Sequence, residues 1–92
     1  MAIRHEPENS RYVYLDSEGV AAGEVEYRRD GDTLHLVRAE VPLERRGEGL
    51  GIALVRETLE MIRDEQHGSI QPICPFIAKF MVKNPEFHAL RA

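Results

Sequence analysis

The spacing of apolar positions changes period along the chain, and each change marks an element. Arg11-Tyr12-Val13-Tyr14-Leu15 is dense in residues that favour strands, and Asp16-Ser17-Glu18-Gly19 follows it as a turn cluster with a glycine free to take positive φ. From Val20 to Arg29, Val25 and Tyr27 alternate with Glu24, Glu26 and Arg28, the period of a sheet wetted on one face. Asp30-Gly31 reads as a type I′ hairpin turn, so the next strand, Thr33 to Val41, pairs antiparallel with its predecessor. Inside that strand the alternation slips, because Leu34 and Leu36 share one parity and Val37, Ala39 and Val41 the other. Two readings are open: an inserted residue forming a β-bulge, or a strand covered on both faces. Pro42 ends the strand.

The period then becomes helical. From about Gly49, one face carries Gly51, Leu54, Val55, Thr58, Leu59 and Ile62, and the other carries Arg56, Glu57, Glu60, Arg63 and Asp64. This helix ends near Gln66-His67-Gly68, with Gly68 expected in the left-handed conformation just past the end. Ser69 to Ile73 reads as a short strand, and a strand–helix–strand unit closes by a right-handed crossover onto a parallel neighbour. Pro72 confines it to an edge or a bend. A second helix starts at Pro75, with Phe76, Ile77, Phe80 and Met81 on its core side, and stops at Asn84-Pro85; Glu86 to Leu90 adds a last turn. These elements describe an α/β (α+β) fold with a mostly antiparallel sheet, one parallel pair and two main helices. We expect one domain over residues 1–92, folded from about Asn9 to Ala89 with frayed ends.

Composition removes several function classes. The apolar share of 42% and charged share of 30% are those of an ordinary globular protein. A net charge of −4 argues against a surface that neutralises phosphates along a nucleic acid, so no nucleic-acid partner is expected. No apolar run approaches the ~18 residues of a spanning helix, and Glu6, Pro7 and Glu8 interrupt the start where a signal peptide is apolar. The lone Cys74 cannot close an internal disulfide and suits a reducing compartment. A cytoplasmic protein without membrane contact, monomeric or weakly dimeric, is the expectation. His5, His35, His67 and His88 lack metal-ligand spacing, so no metal is expected, and Tyr12, Tyr14 and Tyr27 read as packing residues.

The segment Arg45-Arg46-Gly47-Glu48-Gly49-Leu50-Gly51 carries the strongest chemical signal. Glycines oppose helix formation, so three of them where a helix opens point to something approaching the backbone closely. Unpaired N–H groups at a helix start, the positive end of the helix dipole and two arginines together suit a pyrophosphate. The plainer reading is a solvated turn with arginines in water. No Gly-Lys-Ser/Thr follows, and the Gly-x-Gly-x-x-Gly order of dinucleotide folds is missing.

Arg46-x-x-Gly49-x-Gly51, set between Ala39-Glu40-Val41 and an amphipathic helix, resembles the acyl-CoA pyrophosphate signature of the GNAT superfamily. With Pro72-Ile73-Cys74-Pro75-Phe76-Ile77 and Asn84-Pro85-Glu86-Phe87 added, nearly the whole chain resembles a family of very small GNAT-like proteins. The resemblance implies that Thr33 to Val41 is bulged and splayed from the parallel strand ending near Ile73, admitting pantetheine to the gap. It implies acetyl-CoA (coenzyme A) as cofactor, an amine of a small molecule or protein as acceptor, and N-acetyl transfer as the activity. Backbone groups around Ala39 to Val41 would pair with pantetheine and polarise the thioester carbonyl, and Arg45 to Gly51, with Glu48 and Leu50 among them, would hold the pyrophosphate. Phe76, Phe80 and Lys83 would complete the cofactor contacts.

Two side chains are candidates for catalysis. Glu40 is placed to deprotonate an ammonium acceptor, or else is a surface carboxylate paired with Arg38 or Arg45. Cys74 precedes a helix start that stabilises thiolate, and three roles are open to it: acyl carrier, thioester lining, or small buried hydrophobe. The chain departs from the small family's pattern at Arg38-Ala39-Glu40-Val41, where relatives read His-Thr-Glu-Val, and at Phe80 and Phe87, where they carry tyrosine. A phenolic acid for the departing thiolate is therefore missing, and a non-catalytic CoA-binding or protein-interaction module is the rival reading.

Overall fold

The computed structural model describes residues 2–92; Met1, the first residue of the expected domain, lies outside them. Five strands form one sheet in the order of the sequence: β1 (Ala2–Glu6), β2 (Arg11–Leu15), β3 (Ala21–Asp30), β4 (Thr33–Glu40) and β5 (Ser69–Pro72). All neighbours are antiparallel except β4 and β5, which are parallel across the crossover helix α1 (Leu50–Asp64). A second helix, α2 (Pro75–Lys83), follows β5, and short 3-10 turns occupy Pro7–Asn9, Leu43–Arg45 and Pro85–Leu90. This is the expected class, a mostly antiparallel sheet with one parallel pair and two main helices.

Both helices lie on one face of the sheet. Tyr12, Tyr14, Val25, Leu34 and Leu36 from the strands share a single buried cluster with Leu54, Leu59 and Ile62 of α1 and with Ile77 and Met81 of α2. Among the described residues no helix lies over the other face, which is covered by ion pairs instead. Arg11 bridges Glu6 (2.8 Å) and Glu24 (3.3 Å), and Arg38 bridges Glu26 (3.4 Å) and Glu40 (3.6 Å).

The phase slip in β4 is a bulge. Glu26 pairs with Arg38 and the next residue, Tyr27, with Leu36, so Val37 is left over on the longer side. The inserted residue keeps Leu36 and Ala39 on the core face across a three-residue step. It also marks the end of the parallel pair. The last register partners of β4 and β5 are Leu36 and Pro72, and the Leu36 carbonyl accepts from both Ile73 N–H (3.1 Å) and Cys74 N–H (2.9 Å). Beyond that point β4 runs on against β3 alone.

Several expectations shift. The hairpin loop is Gly31-Asp32 rather than Asp30-Gly31: Asp30 pairs with Thr33, and only Gly31 has positive φ (+61°), which is the demand of a type II′ turn. Gln66 (φ +55°), not Gly68, takes the left-handed place after α1. Both ends of the described residues are anchored, since β1 pairs along its length with β2, Arg91 bridges Ile70, and Ala92 N–H donates to the Ile70 carbonyl at 2.9 Å. Phe76 is 43% exposed and does not join the core side of α2.

Candidate cofactor and acceptor site

The bulge and the loop after β4 shape one end of the molecule. Gly49 (φ +76°) caps α1 from a left-handed conformation, and no side chain among the described residues bonds the helix start. The first bond into the helix runs from Ala53 N–H to the Gly49 carbonyl at 3.5 Å, which leaves the N–H groups of Leu50, Gly51 and Ile52 ahead of the ladder. Gly47 (φ +95°) and Gly49 have nothing within 4 Å of where a side chain would start, so the loop surface is open above both.

The two arginines have separate fates. Arg45 is committed to Asp16 in the β2–β3 turn (2.8 Å) and to Glu48 (3.3 Å), tying the loop to the sheet. Asp16 is in turn held below the ordinary carboxylate range, with the hydrogen bond from the Val20 backbone N–H the larger cause and that from Arg45 the next. Arg46 is exposed and donates from Nε to the Val41 carbonyl at 3.3 Å. The sequence treats the two as equivalent; Asp16, far away in the chain, distinguishes them.

Three clefts adjoin through Phe76. A cleft of ≈ 170 Å³ lies among Ala39, Val41, Gly51, Leu54 and Phe76, at the split between β4 and β5. A second, ≈ 330 Å³, runs over Val41, Arg46, Gly47, Gly49, Gly51 and Phe76. A third, ≈ 280 Å³, lies between the helices and is lined by Ile52, Arg56, Phe76, Phe80 and Lys83 among others. The Phe76 ring tip stands 3.3 Å from where a Gly51 side chain would begin, so glycine lets the ring cross close between the helix starts, and a larger residue would displace it by a few tenths of an ångström. The folded chain thus gathers Ala39, Val41, Arg45, Arg46, Gly47, Gly49, Leu50, Gly51, Phe76, Phe80 and Lys83 around these three clefts.

Glu40 and Cys74 are not side by side. Glu40 pairs in register with Glu24 and so faces the uncovered side of the sheet, where it meets Arg38 and lines a ≈ 190 Å³ depression with Arg4, Arg11, Val13 and Glu24. Its partner is Arg38, not Arg45. Cys74 caps α2 just past the last β4–β5 contact, and its thiol is buried in the core cluster rather than lining the three clefts.

Sequence reasoning did not single out Arg56, Lys79 or Asn84, all of which line the cleft between the helices. The signal for Arg56 and Lys79 is the matching i, i+4 spacing of Ile52–Arg56, Phe76–Phe80 and Lys79–Lys83, which puts each pair on one helix face. His5 and His67 belong elsewhere, in a cluster with Tyr12 and Tyr27 at the opposite end of β2. Among the described residues no three His, Cys, Asp or Glu are grouped to hold a metal ion, and no helix is long and apolar enough to cross a membrane.

A family model described as GCN5-related N-acetyl-transferase matches residues 11–90. The fold superimposes on the NMR solution structure of a GCN5-like protein from Staphylococcus aureus with TM-score 0.68 at 22% identity, covering 98% of this chain and 86% of that one. At that identity the likeness speaks for the fold. The crystal structure of nourseothricin acetyltransferase aligns with 65% of this chain and 36% of its own, at 31% identity and TM-score 0.46, a superposition too loose to carry an inference. Among curated proteins none matches.

Proposed function

The chain belongs to the GCN5-related N-acetyltransferase family, and from that premise we propose that it takes acetyl-coenzyme A as donor and passes the acetyl group to an amine of a small molecule or protein. One observation carries this reading: three neighbouring clefts that share Phe76 as a wall form a trough of hollows at the β4–β5 split, over the glycine-rich start of α1 and between the helices. Such a trough suits a long carrier with an apolar-to-polar arm, a diphosphate and a nucleotide. When bound, acetyl-CoA supplies an acetyl group activated as a thioester.

The chain's own groups divide the work. The N–H groups of Leu50, Gly51 and Ile52, under the positive end of the α1 dipole and with Arg46 beside them, hold the diphosphate, while Gly47 and Gly49 keep the approach clear. Arg45 and Glu48 hold the loop in place through Asp16. The open edge of β4 from Ala39 to Val41 offers backbone groups to the pantetheine arm, and an N–H near Val41 polarises the carbonyl under attack. Phe76, Phe80 and Lys83 flank the nucleotide end. Glu40, on the far face, takes the proton from an ammonium arriving over the open sheet. Cys74, buried in the core cluster behind the last β4–β5 contact, backs the split, and a role as alternative nucleophile or thioester lining would require its thiol to turn out of the core.

Titration with coenzyme A followed by amide NMR tests the binding, and thiol release from acetyl-CoA across a panel of amines tests the chemistry. Saturable shifts at Gly47 to Ile52 are expected, with amine-dependent release that Glu40→Gln slows about 10²-fold or more at saturating donor. Amides that stay unmoved in millimolar carrier overturn the proposal. Binding with no turnover on any amine leaves the carrier-binding module in its place.

A further inference from the structure

The chain has two lysines, Lys79 and Lys83, and both line the cleft between α1 and α2. They stand one turn apart on α2, where like charges oppose helix formation. Neither has an ion pair or hydrogen bond among the described residues, although the chain carries 16 acidic residues. Arg56 faces them from α1 and is held in place by Asn84 (3.1 Å), by the Phe80 ring beneath it (5.2 Å) and by Glu86 at 3.7 Å. Three cations therefore converge on a cleft in a protein of net charge −4.

The walls between those cations are Ile52, Phe76 and Phe80, flat apolar surface suited to a purine. Ile52 and Phe76 are shared with the cleft over the glycine loop, so a nucleotide whose diphosphate sits on the loop extends into this one. Lysine presents a compact, mobile point charge, which serves a terminal phosphate monoester where a fixed bidentate fork is not required.

We propose that Lys79 and Lys83, with Arg56 opposite, read the 3′-phosphate of the carrier's adenosine, so that the chain selects coenzyme A over its 3′-dephospho form. The selection rests on the donor reading above and adds the part of the donor that is discriminated. The pair of lysines is left without acidic partners in the free protein because the ligand's phosphate is their counter-charge.

Calorimetry of the full chain with coenzyme A and with 3′-dephospho-coenzyme A, at moderate salt, tests this. Coenzyme A is expected to bind about tenfold tighter or more, the size of a charge-assisted contact. In the double variant Lys79→Met, Lys83→Met the two ligands are expected to bind within about twofold of each other, since Met keeps the apolar stem and removes only the charge. Unchanged far-UV circular dichroism and melting of the variant separate lost recognition from lost fold. Equal, measurable affinity of the native chain for both ligands overturns the inference and leaves the donor reading standing, as does a variant that keeps the full ratio. Failure of both ligands to bind at millimolar concentration overturns the two together.

Discussion

Gln66 holds φ at +55° one residue past the cap of α1, in a region that costs a side chain about 1–2 kcal/mol. The bonds around it explain why the strain persists: His67 N–H donates to the Ile62 carbonyl (3.0 Å) and Gln66 N–H to that of Arg63 (3.3 Å), the paired closure of a Schellman motif. Gln66 is exposed and makes no other described bond. Gln66→Gly should therefore stabilise the protein by about 1 kcal/mol, seen as a melting temperature higher by ~4–8 °C; a lower or unchanged melt contradicts it. Gly68 is a different case. A side chain there would collide with the Asp32 carbonyl oxygen, since the β3–β4 hairpin packs against it and Ser69 N–H bonds that oxygen at 2.8 Å. Gly68 also holds φ at +143°, so both conformation and packing require glycine there, and the packing half of that demand comes from a hairpin more than thirty residues away, which a local reading of sequence does not see. The same limit separates Arg45 from Arg46, and leaves three roles open to Cys74, whose thiol the fold buries in the core cluster.

At the scale of elements, the legible parts were those with a strong local period. The helices and the β3–β4 pairing follow from alternation; its interruption in β4 leaves a bulge and a strand covered on both faces equally open, and the register decides for the bulge, with Val37 the inserted residue. β1 escaped because Ile3 is its one strongly apolar side chain, and the strand exists through partners it finds in β2, Ile3 against Tyr14 and His5 against Tyr12. The hairpin moved by one residue because Gly31 supplies the positive φ alone, which a dipeptide rule reading Asp30-Gly31 as two central residues cannot see. Val37 also gives the bulge a testable consequence. Deleting it leaves Leu36, Arg38 and Ala39 in regular alternation, so every later side chain keeps its face while the kink that parts β4 from β5 is removed. The deletion variant should fold and melt near the native temperature, with the parallel pairing continued past Leu36. Its affinity for coenzyme A should fall by about tenfold or more, the worth of one or two backbone bonds no longer free for the ligand. A variant that binds as the native chain does would separate the split from the binding site.

Across the whole molecule, the sheet has unlike ends. One carries the glycine loop and the clefts; the other carries His5 stacked on Tyr12 (4.4 Å), bonded to the Tyr27 hydroxyl (2.7 Å), and set 4.7 Å from the His67 ring, which itself meets the Tyr12 hydroxyl (2.8 Å) and Glu65 (3.3 Å). Burial lowers the His5 pKa below 6.5, and the charges of His67 and Arg29 act the same way, against weaker opposition from Glu65 and Glu8. The folded state thus binds this proton more weakly than the unfolded chain. Its contribution is whole above pH ~6.5 and is lost as pH falls from there through the lower folded value. Glu6 acts in a second window. Its hydrogen bonds, first to Arg11, then to Asn9 and Arg4, hold it near about 2 against an ordinary 4.5, so its contribution is whole above 4.5 and fades as pH falls towards 2. Urea midpoints measured against pH should then decline in two stages. His5→Phe, which keeps a ring on Tyr12, should remove the first stage and spare the second, and Glu6→Gln should do the reverse. Both groups sit on β1 or at its end, so the first amides to lose exchange protection on mild acidification should be those of β1 and β2, ahead of those around the glycine loop. Loss beginning at the loop, or a His5→Phe variant that still declines between pH 7 and 5, would place the acid-sensitive end of the molecule elsewhere.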